Sequence, residues 1–407
     1  MMSQDDKNTS VFLDGDLSHA ESRKGGEFFS RKERIDRKGW KHVKLGDVCD
    51  LKNGYAFASE SYVSRGKYFV ITIANVQDGR FVIGDETNKI NSMPIDVQKH
   101  QILKKGNLLI SMTGNVGRVC VVDRNDCLLN QRVGLLEVNN TVDKTFIYYR
   151  LQHFDFQQKM ISAGKGGAQP NIGKHDILGF EFDLPEIPEQ KAISKSLSCI
   201  NHLIFSLQNL AFKYEAIKKA TVNLLLKPKE GWRRIRLDDC CMCLDNMRKP
   251  VNEEMRQSMK GDIPYCGANG IVDYVNDYTI NDSVILIAED GGYFDEYQTR
   301  SIAYMIIGKA WVNNHAHILK AKNGYCQDYI FHTLEHKNIV PFITSGTRAK
   351  LTKRELLNIE INAPESVYEQ RKIATQISAI DNALNDCRAQ LAKAQSLKQG
   401  MMSYFFG

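Results

Sequence analysis

An internal duplication constrains this chain more than any other feature of its sequence. Residues 39–54 and 231–246 both begin with Gly-Trp, continue with basic and apolar residues in step, and start 192 residues apart. Further matches follow in the same order at an offset that falls to about 180 residues, as insertions in the loops of one fold would produce. A period this long exceeds that of solenoid repeats and indicates a duplicated domain.

The later matches extend the duplication almost to the end of the chain. They pair short polar or mixed segments with counterparts in the second copy: Asn130–Leu136 with Asn313–Leu319, Ile172–Leu178 with Leu351–Leu357, and Glu189-Gln190-Lys191 with Glu369-Gln370-Arg371. Both copies therefore contain the same succession of elements.

Each copy has a β-rich part followed by a helical part. Residues 39–184 and 230–363 contain short apolar runs between Gly, Asn and Asp turns, which is typical of strands. In residues 185–229 and 364–407, apolar residues recur at alternating steps of four and three, a heptad seam. The seam positions are Ile193, Leu197, Ile200, Ile204 and Leu207 in the first copy, and Ile373, Ile377, Ile380, Leu384 and Leu391 in the second.

The two seams share their register, and Lys218 and Lys398 interrupt them at the same place. Each helix has room for about 35 residues, or ~50 Å at the usual rise. Two equal stripes predict helices that pack on each other as an antiparallel coiled coil; the alternative is that each packs on its own domain. The predicted fold class is α+β, with two β-rich domains, two spacer helices and pseudo-twofold symmetry.

Composition adds few constraints. The 407 residues include 54 basic and 48 acidic ones, a net charge of +6 that permits a nucleic-acid partner without requiring one. No apolar run nears the ~18 residues of a membrane span. No basic segment followed by an apolar stretch opens the chain, so we expect a cytoplasmic protein with reduced thiols. Residues 1–38 are mostly polar and are interpreted as a mobile extension or a docking arm.

A search for catalytic motifs and metal ligands is negative. There is no Walker A sequence and no Asn-Pro-Pro-Tyr motif, and the Glu-x-Lys spacing of Glu189–Lys191 opens a helix. Cys240, Cys241 and Cys243, with Cys266 later, resemble zinc ligands. Their counterparts in the first copy form an apolar strand, however, so core packing is preferred, and no metal is predicted. The sequence thus favours recognition over catalysis.

Several motifs together carry a family resemblance. Gly-Trp opens each unit, Asn130-Gln131-Arg132 and Gln169–Ile172 follow, and Pro185–Ile193 leads into the long helix. The second copy adds Ile263–Gly270, an Ile-Pro-Tyr-x-Gly-Ala-Asn-Gly run. This pattern, over residues 39–407, closely resembles the DNA specificity subunit of Type I restriction-modification enzymes. One departure is Ala349-Lys350-Leu351, which replaces the Gln-Pro-Asn element in the second copy.

The resemblance implies a function. Each β-rich part would be a target recognition domain that reads one half of a bipartite, asymmetric double-stranded DNA sequence. The helices would set the gap between the halves and bind two copies of a modification subunit, which holds S-adenosylmethionine and methylates adenine. A separate restriction subunit would use ATP and Mg²⁺ to translocate and cut DNA. The chain itself would bind no cofactor, perform no catalysis and have no membrane partner.

Base readout requires amide and cationic side chains on loops, and phosphate contacts require Lys, Arg and backbone N–H groups. The alternative for each such residue is a solvated side chain or a hydrogen bond within its loop. The candidates are Lys52, Asn53, Tyr55, Asn115, Arg118, Lys165, Gln169 and Asn171 in the first domain, and Arg248, Lys249, Asn269, Arg300, Arg348 and Lys350 in the second.

Three rival functions stay open on the residues alone. They are a coiled-coil interaction scaffold without a DNA role, the specificity part of another restriction system with bipartite sites, and a self-contained restriction or methyltransferase enzyme. The basic and amide content of the loops favours DNA only mildly over the scaffold.

Overall fold

The computed structural model describes residues 37–164, 170–344 and 349–407. Almost all of the predicted extension 1–38 lies outside this range. The described residues form two compact units, one made of residues 37–206 and 392–407, the other of residues 207–391. Each unit therefore contains one β-rich domain together with segments of both long helices.

The first domain consists mainly of short strands, and three short helices follow one another before its last strand. Its strands are β1 (Lys41–Lys44), β2 (Cys49–Asn53), β3 (Tyr68–Ile71), β4 (Val76–Gln77), β5 (Arg80–Phe81), β6 (Lys89–Ile90), β7 (Ile102–Leu103), β8 (Leu108–Ser111), β9 (Val119–Val121), β10 (Cys127–Leu129), β11 (Val133–Val138) and β12 (Glu181–Leu184). Its helices are α1 (Leu45–Val48), α2 (Lys144–Gln152), α3 (Phe154–Ala163) and α4 (Lys174–Leu178), and the long helix α5 (Ile187–Leu225) follows.

The second domain repeats the plan with longer strands. They are β13 (Trp232–Arg236), β14 (Cys241–Cys243), β15 (Lys260–Gly267), β16 (Gly270–Val275), β17 (Ile280–Ala288), β18 (Ala303–Val312), β19 (Ala316–Ala321) and β20 (Glu360–Pro364). The helices are α6 (Leu237–Cys240), α7 (Glu253–Ser258), α8 (Gln327–Leu334), α9 (Lys353–Asn358) and the long C-terminal α10 (Val367–Phe406).

Corresponding strands pair in the same way in both domains. The antiparallel sheet β2-β11-β8-β9 has its counterpart in β14-β19-β17-β18, the first four strands of a six-stranded sheet completed by β15 and β16. The parallel pair β3 and β10 corresponds to the parallel pair β15 and β18. In each domain the first strand also pairs antiparallel with the last, β1 with β12 and β13 with β20. The predicted duplication of an α+β domain is confirmed.

The long helices have 39 and 40 residues and start 180 residues apart. Most predicted seam positions are buried in them, while Ile204, Ile380 and Leu391 are partly exposed. Among the described residues, no helix combines the length and the apolar character that crossing a bilayer requires.

The two helices run antiparallel where they meet. In the unit formed by residues 207–391, the Cys387 thiol lies 3.4 Å from the Leu207 carbonyl oxygen, and Lys218 lies against Asp381. Further along α5, Val222 and Leu225 pack into the cluster that contains Ile373 on α10. Contacts that advance along one helix and retreat along the other define an antiparallel pair.

The C-terminal part of α10 belongs to the core of the first domain. In the unit formed by residues 37–206 and 392–407, Met402 and Phe406 are buried in the same cluster as Phe146, Ile193 and Leu197. The Phe406 ring meets the Phe146 ring edge to face, with centroids 5.6 Å apart. The alternative that each helix packs only on its own domain is therefore wrong.

A buried ion cluster explains why a lysine interrupts the seam of α5. Lys218 Nζ lies 2.9 Å from Glu335 Oε1 and 2.7 Å from Asp381 Oδ1, and its side chain is 16% exposed. His332 completes the cluster through Glu335 Oε2 at 3.0 Å. Burial alone would lower the pKa of Lys218, but the charges of Glu335 and Asp381 outweigh it and the pKa is raised. The ammonium group therefore lies within hydrogen-bonding distance of both carboxylates.

One buried glutamine near the start of each long helix connects it to a short helix of the preceding domain. Gln190 Oε1 accepts a hydrogen bond from the N–H of Asp143 at 2.7 Å, and Gln370 Oε1 accepts one from Cys326 at 2.9 Å. Asp143 and Cys326 are the N-cap residues of α2 and α8. Glu189, the neighbour of Gln190, accepts a hydrogen bond from the Trp40 indole. The Glu-Gln-Lys and Glu-Gln-Arg motifs therefore have a structural role in both copies.

We expect Gln190→Ala and Gln370→Ala each to lower the free energy of unfolding by about 1–3 kcal/mol, because each change leaves a buried backbone N–H without an acceptor. Urea unfolding of the full chain measures the effect. The matched controls are Gln208→Ala and Gln376→Ala at exposed positions of the same helices. Equal effects at buried and exposed positions would contradict this role.

Candidate nucleic-acid interface

In the first domain, backbone hydrogen bonds join loops that are far apart in the sequence. The Gln131 N–H donates to the Tyr55 carbonyl oxygen at 2.9 Å, Met112 N–H to the Arg132 carbonyl at 3.0 Å, and Gly114 N–H to the Pro170 carbonyl at 2.9 Å. We call the connected segments 53–55, 112–115, 130–132 and 170–171 the first loop row. It brings together candidates that are far apart in the sequence. These are the pair Asn53 and Tyr55, then Asn115, and then Asn171.

The side chains of this row are mostly open to solvent. Asn53, Asn115 and Asn171 are exposed, and the Asn171 carboxamide oxygen accepts a hydrogen bond from the Thr113 hydroxyl at 3.2 Å. The Tyr55 hydroxyl donates to Asp96 at 2.8 Å. These loops thus present amide groups, which can both donate to and accept from base edges.

Two candidates of the first domain have other surroundings. Lys52 lies within β2 and forms an ion pair with Asp50 at 2.8 Å. Arg118 is half-buried, and its backbone N–H donates to the Ser111 hydroxyl. Lys165 and Gln169 lie outside the described residues.

The second domain contains the same row. The Glu289 N–H donates to the His315 carbonyl oxygen at 2.8 Å, and the Leu351 N–H donates to the Glu289 carbonyl at 2.8 Å. Asp290 forms a β-bridge with Lys350, as Thr113 does with Asn171 in the first domain. We call segments 289–291, 313–315 and 350–351 the second loop row. Two connections of the first row recur here, since the 289–315 bond matches the 112–132 bond and the two β-bridges match, whereas the side chains differ.

Two basic candidates of the second domain form ion pairs with acidic residues. Arg248 Nη1 lies 2.5 Å from Glu289 Oε2 and Nη2 lies 3.3 Å from Asp245, and its side chain is only 18% exposed. Lys350 Nζ lies 2.8 Å from Glu289 Oε1. Burial alone would raise the pKa of Glu289, but hydrogen bonds from Lys350 and Arg248 outweigh it and the pKa is lowered. Arg248 therefore stabilises the loops, while the exposed Lys350 remains near the surface.

The other candidates of the second domain are dispersed. The exposed Asn269 donates from Nδ2 to the Gly291 carbonyl oxygen at 2.9 Å, which attaches it to the second row. Lys249 Nζ lies 5.9 Å from the centroid of the Trp311 ring, and Arg300 pairs with Glu296 at 2.9 Å. Arg348 lies outside the described residues.

A surface groove opens beside the second row. Its cavity of about 430 Å³ lies between the turn formed by residues 267–272 and the row residues Asp290, Asn313 and His315. Arg256 lines this cavity and a neighbouring one of about 530 Å³, and its guanidinium carbon lies 5.1 Å from the Tyr265 ring centroid. The sequence-based candidates did not include Arg256, because nothing in the local sequence connects it with a row that begins more than 30 residues later.

One group of possible metal ligands lies under the second row. Ligand atoms of Cys243, Asp245 and His317 are within 4.8 Å of one another. Both ring nitrogens of His317 already face oxygen atoms, Nδ1 the Asp245 carboxylate at 2.7 Å and Nε2 the Leu351 carbonyl at 2.8 Å. The geometry therefore favours a hydrogen-bonded histidine. Cys240, Cys241 and Cys266 are buried, as expected for core residues.

We predict that the purified protein carries substoichiometric zinc and that a chelator leaves its thermal unfolding unchanged. Elemental analysis after dialysis measures this directly. One zinc ion per chain that is lost in Cys243→Ser and retained in Cys326→Ser would contradict the prediction.

Comparison with known proteins gives one family throughout. The family model described as Type I restriction modification DNA specificity domain matches residues 37–210 and again residues 229–394. A putative type I restriction enzyme specificity subunit of Haemophilus influenzae is 41% identical over 128 residues, covering 31% of this chain and 32% of that protein. The type I restriction enzyme MjaVIII specificity subunit of Methanocaldococcus jannaschii is 26% identical over 197 residues, covering 47% and 46%.

The fold also has a solved counterpart. The crystal structure of a Type-I restriction-modification system S subunit from M. genitalium superposes with a TM-score of 0.70 at 18% identity, covering 90% of this chain and 96% of that one. The chain matches less than half the length of each of the two curated relatives. Because the family model matches twice and spans most of the sequence, the chain belongs to the Type I restriction-modification DNA specificity family.

Proposed function

We propose that this chain reads a bipartite, asymmetric DNA sequence, with each domain reading one half. The observation that carries this proposal is the pair of loop rows, which share their backbone connections and differ in their side chains. A similar scaffold suits two units that face DNA in equivalent ways, and different side chains suit two different half-sites. The S subunits and specificity subunits among the similar proteins support the same assignment.

The long helices would determine the gap between the half-sites. Their antiparallel pairing within the unit formed by residues 207–391 supports this proposal, as does the burial of most seam residues. We further propose that they bind two copies of a modification subunit that carries S-adenosylmethionine, and that a restriction subunit using ATP and Mg²⁺ joins the complex. The chain itself would act without catalysis in the cytoplasm.

Arg118→Ala and Arg348→Ala should each weaken binding of target DNA by the chain assembled with its modification subunit. The reason is the loss of a cation that contacts phosphate or a base edge, which costs about 1–3 kcal/mol if the contact is to a base. Binding is measured at matched salt, because phosphate contacts depend on ionic strength. The control is Arg233→Ala, whose exposed side chain pairs with Glu365.

Parental affinity in both variants would reject these two assignments. A separate test addresses the function itself: a duplex with one half-site scrambled should lose roughly 10³-fold or more in affinity, the usual difference between specific and non-specific binding. Equal affinity for intact and scrambled duplexes would favour the interaction scaffold instead.

A further inference from the structure

The loop between β17 and β18 distinguishes the second domain from the first. The corresponding loop between β8 and β9 comprises residues 112–118, whereas this one comprises residues 289–302 and is longer. Both loops contribute their first residues to a loop row. We call residues 292–302 the long loop. Since the two copies of the repeat differ here, the long loop suits a role that differs between the two domains.

Apolar residues anchor the long loop to the core of its domain. Phe294 and Ile302 are buried in the cluster formed with residues of β17 and β18, and Tyr297 packs against that cluster. The Ile302 N–H donates a hydrogen bond to the Glu335 carbonyl oxygen at 2.8 Å. The loop is therefore attached to the core at its start, middle and end, and it has a defined shape despite its length.

Three side chains of the long loop form a cluster at its surface. The Arg300 guanidinium carbon lies 4.2 Å from the centroid of the Tyr293 ring, and Arg300 Nε lies 2.9 Å from Glu296 Oε2. Two backbone hydrogen bonds bring these residues together. The Glu296 N–H donates to the Tyr293 carbonyl oxygen at 3.0 Å, and the Arg300 N–H donates to the Glu296 carbonyl oxygen at 2.9 Å. The tyrosine and the glutamate thus orient the guanidinium group.

The outer edge of this guanidinium group is open to solvent. The Arg300 side chain is 48% exposed. Among the described residues, only Glu296 forms an ion pair with Arg300, and it does so through Nε, so Nη1 and Nη2 remain available to a ligand. An ion pair this exposed adds little to the stability of a fold. Stability alone is therefore a poor explanation of the cluster.

The charge of Glu296 favours a base over a phosphate as the ligand. A carboxylate beside the guanidinium group offsets its net charge, and so weakens its attraction to a phosphate. The directional N–H donors of Nη1 and Nη2 are unaffected. In the major groove, a pair of arginine N–H donors matches O6 and N7 of guanine. A guanidinium group that is oriented before binding also loses less conformational freedom on binding.

We propose that Arg300 donates two hydrogen bonds to a guanine in the half-site read by the second domain, and that Tyr293 and Glu296 are positioning residues for it. This inference rests on the proposed function. It assigns a base to a residue that the sequence presented only as a possible DNA contact, and it adds the two residues that orient it. The alternative is that the cluster is solvated and makes no contact with DNA.

The test replaces Arg300 in the full chain. Arg300→Ala and Arg300→Lys are each expressed with the cognate modification subunit, and methylated adenines are mapped across the host genome. We expect both variants to lose the requirement for guanine at one base pair in one half of the target, because lysine keeps the charge without the planar fork. The other half should stay as in the parent. Binding to the parental duplex should fall roughly tenfold to hundredfold.

The positioning residues have a separate readout, the ratio of affinities for duplexes with guanine and with adenine at that base pair. Glu296→Ala and Tyr293→Leu should lower this ratio by less than Arg300→Ala does, since the guanidinium group remains but is less ordered. Glu296→Gln should restore most of the ratio, because its side-chain oxygen can still accept the hydrogen bond from Nε. Parental ratios in Glu296→Ala and Tyr293→Leu would overturn the positioning roles.

A matched cation and tyrosine lie at the opposite end of the same two strands. Lys309 Nζ is 4.8 Å from the centroid of the Tyr278 ring, and both residues are exposed. Lys309 pairs with Asn281 near the start of β17, whereas the long loop lies beyond the end of that strand. Lys309→Ala removes one positive charge, as Arg300→Ala does, and should leave the parental target sequence and affinity. Equal losses of affinity in the two variants, without a change in base preference, would report a lost charge and overturn the inference.

A parental target sequence in both Arg300 variants would overturn the inference and leave the proposed function intact. A relaxation that extends over both halves of the target would also overturn it. If a variant methylates nothing, its binding to duplexes that vary at each base pair is measured instead, and a relaxed guanine position in one half supports the inference. By contrast, a parental chain that itself yields no bipartite target would reject the proposed function, whatever the variants do.

Discussion

Lys218→Met is expected to destabilise the unit formed by residues 207–391 by about 3–5 kcal/mol, the usual result of removing one partner from a buried ion pair. The change leaves the carboxylates of Glu335 and Asp381 close together, with side chains 7% and 6% exposed. Desolvation raises the pKa of Asp381 even in the parent, and the nearby charge of Glu335 adds to it, so losing the ammonium group removes the main compensation.

The repeat supplies a matched comparison at Lys398, which occupies the equivalent position of α10. At the positions equivalent to His332 and Asp381, the chain has the neutral residues Tyr149 and Asn201. Tyr149 donates to the Ser198 hydroxyl, and Asn201 donates to the Tyr149 hydroxyl oxygen. In the second domain, His332 is hydrogen-bonded to Ser378, and Asp381 pairs with Lys218. Burial lowers the pKa of Lys398, and the charge of Asp78 offsets this only in part. We therefore expect Lys398→Met to change the free energy of unfolding by less than about 1 kcal/mol, or to stabilise.

Urea unfolding of the full chain measures both variants, and hydrogen exchange locates the affected unit. In a double variant, Glu335→Gln with Asp381→Asn, the substitution Lys218→Met should lower the free energy of unfolding far less. If Lys218→Met lowers the free energy of unfolding equally with and without the two carboxylates, the ion cluster is not the source of the stability.

The length of the two long helices should determine the gap between the half-sites. Inserting seven residues after Ser206 in α5 and seven after Leu391 in α10 should change the gap between the half-sites and leave the half-site sequences unchanged. Both insertions fall at the boundary between the two compact units, so the packing within each unit is preserved. Seven helical residues add about 10 Å, the length of about three base pairs.

The gap is measured by mapping methylated adenines, and the matched control is an equal insertion after Lys229, in the exposed connection between α5 and β13. That control should leave the gap as it is in the parent. An unchanged gap in the helix variant, with methylation retained, would reject the helices as the element that sets the spacing.

The long helices were predictable because their signals are local. The helices begin at Ile187 and Val367, close to the prolines and acids at 185–188 and 364–365, and most positions of the heptad seam are buried. Such periodicity depends only on residues a turn or two apart. Lys218 looked like a simple interruption of the seam, because its partners Glu335 and Asp381 are more than 100 residues away in the sequence.

The loop rows could not be derived in the same way. They depend on pairings between distant strands, such as the parallel pair of β15 and β18, which no local pattern encodes. For the same reason the sequence alone predicts that Arg248 contacts DNA, whereas in the structure it pairs with Glu289, which is 41 residues away in the sequence.

A map of methylated adenines in a host that carries this chain with its modification subunit tests most directly whether the chain reads a bipartite sequence. We expect adenines methylated in both halves of one asymmetric sequence, separated by a gap of constant length and unrestricted composition. Methylation within a single continuous motif, or a methylation pattern that does not depend on this chain, would contradict it.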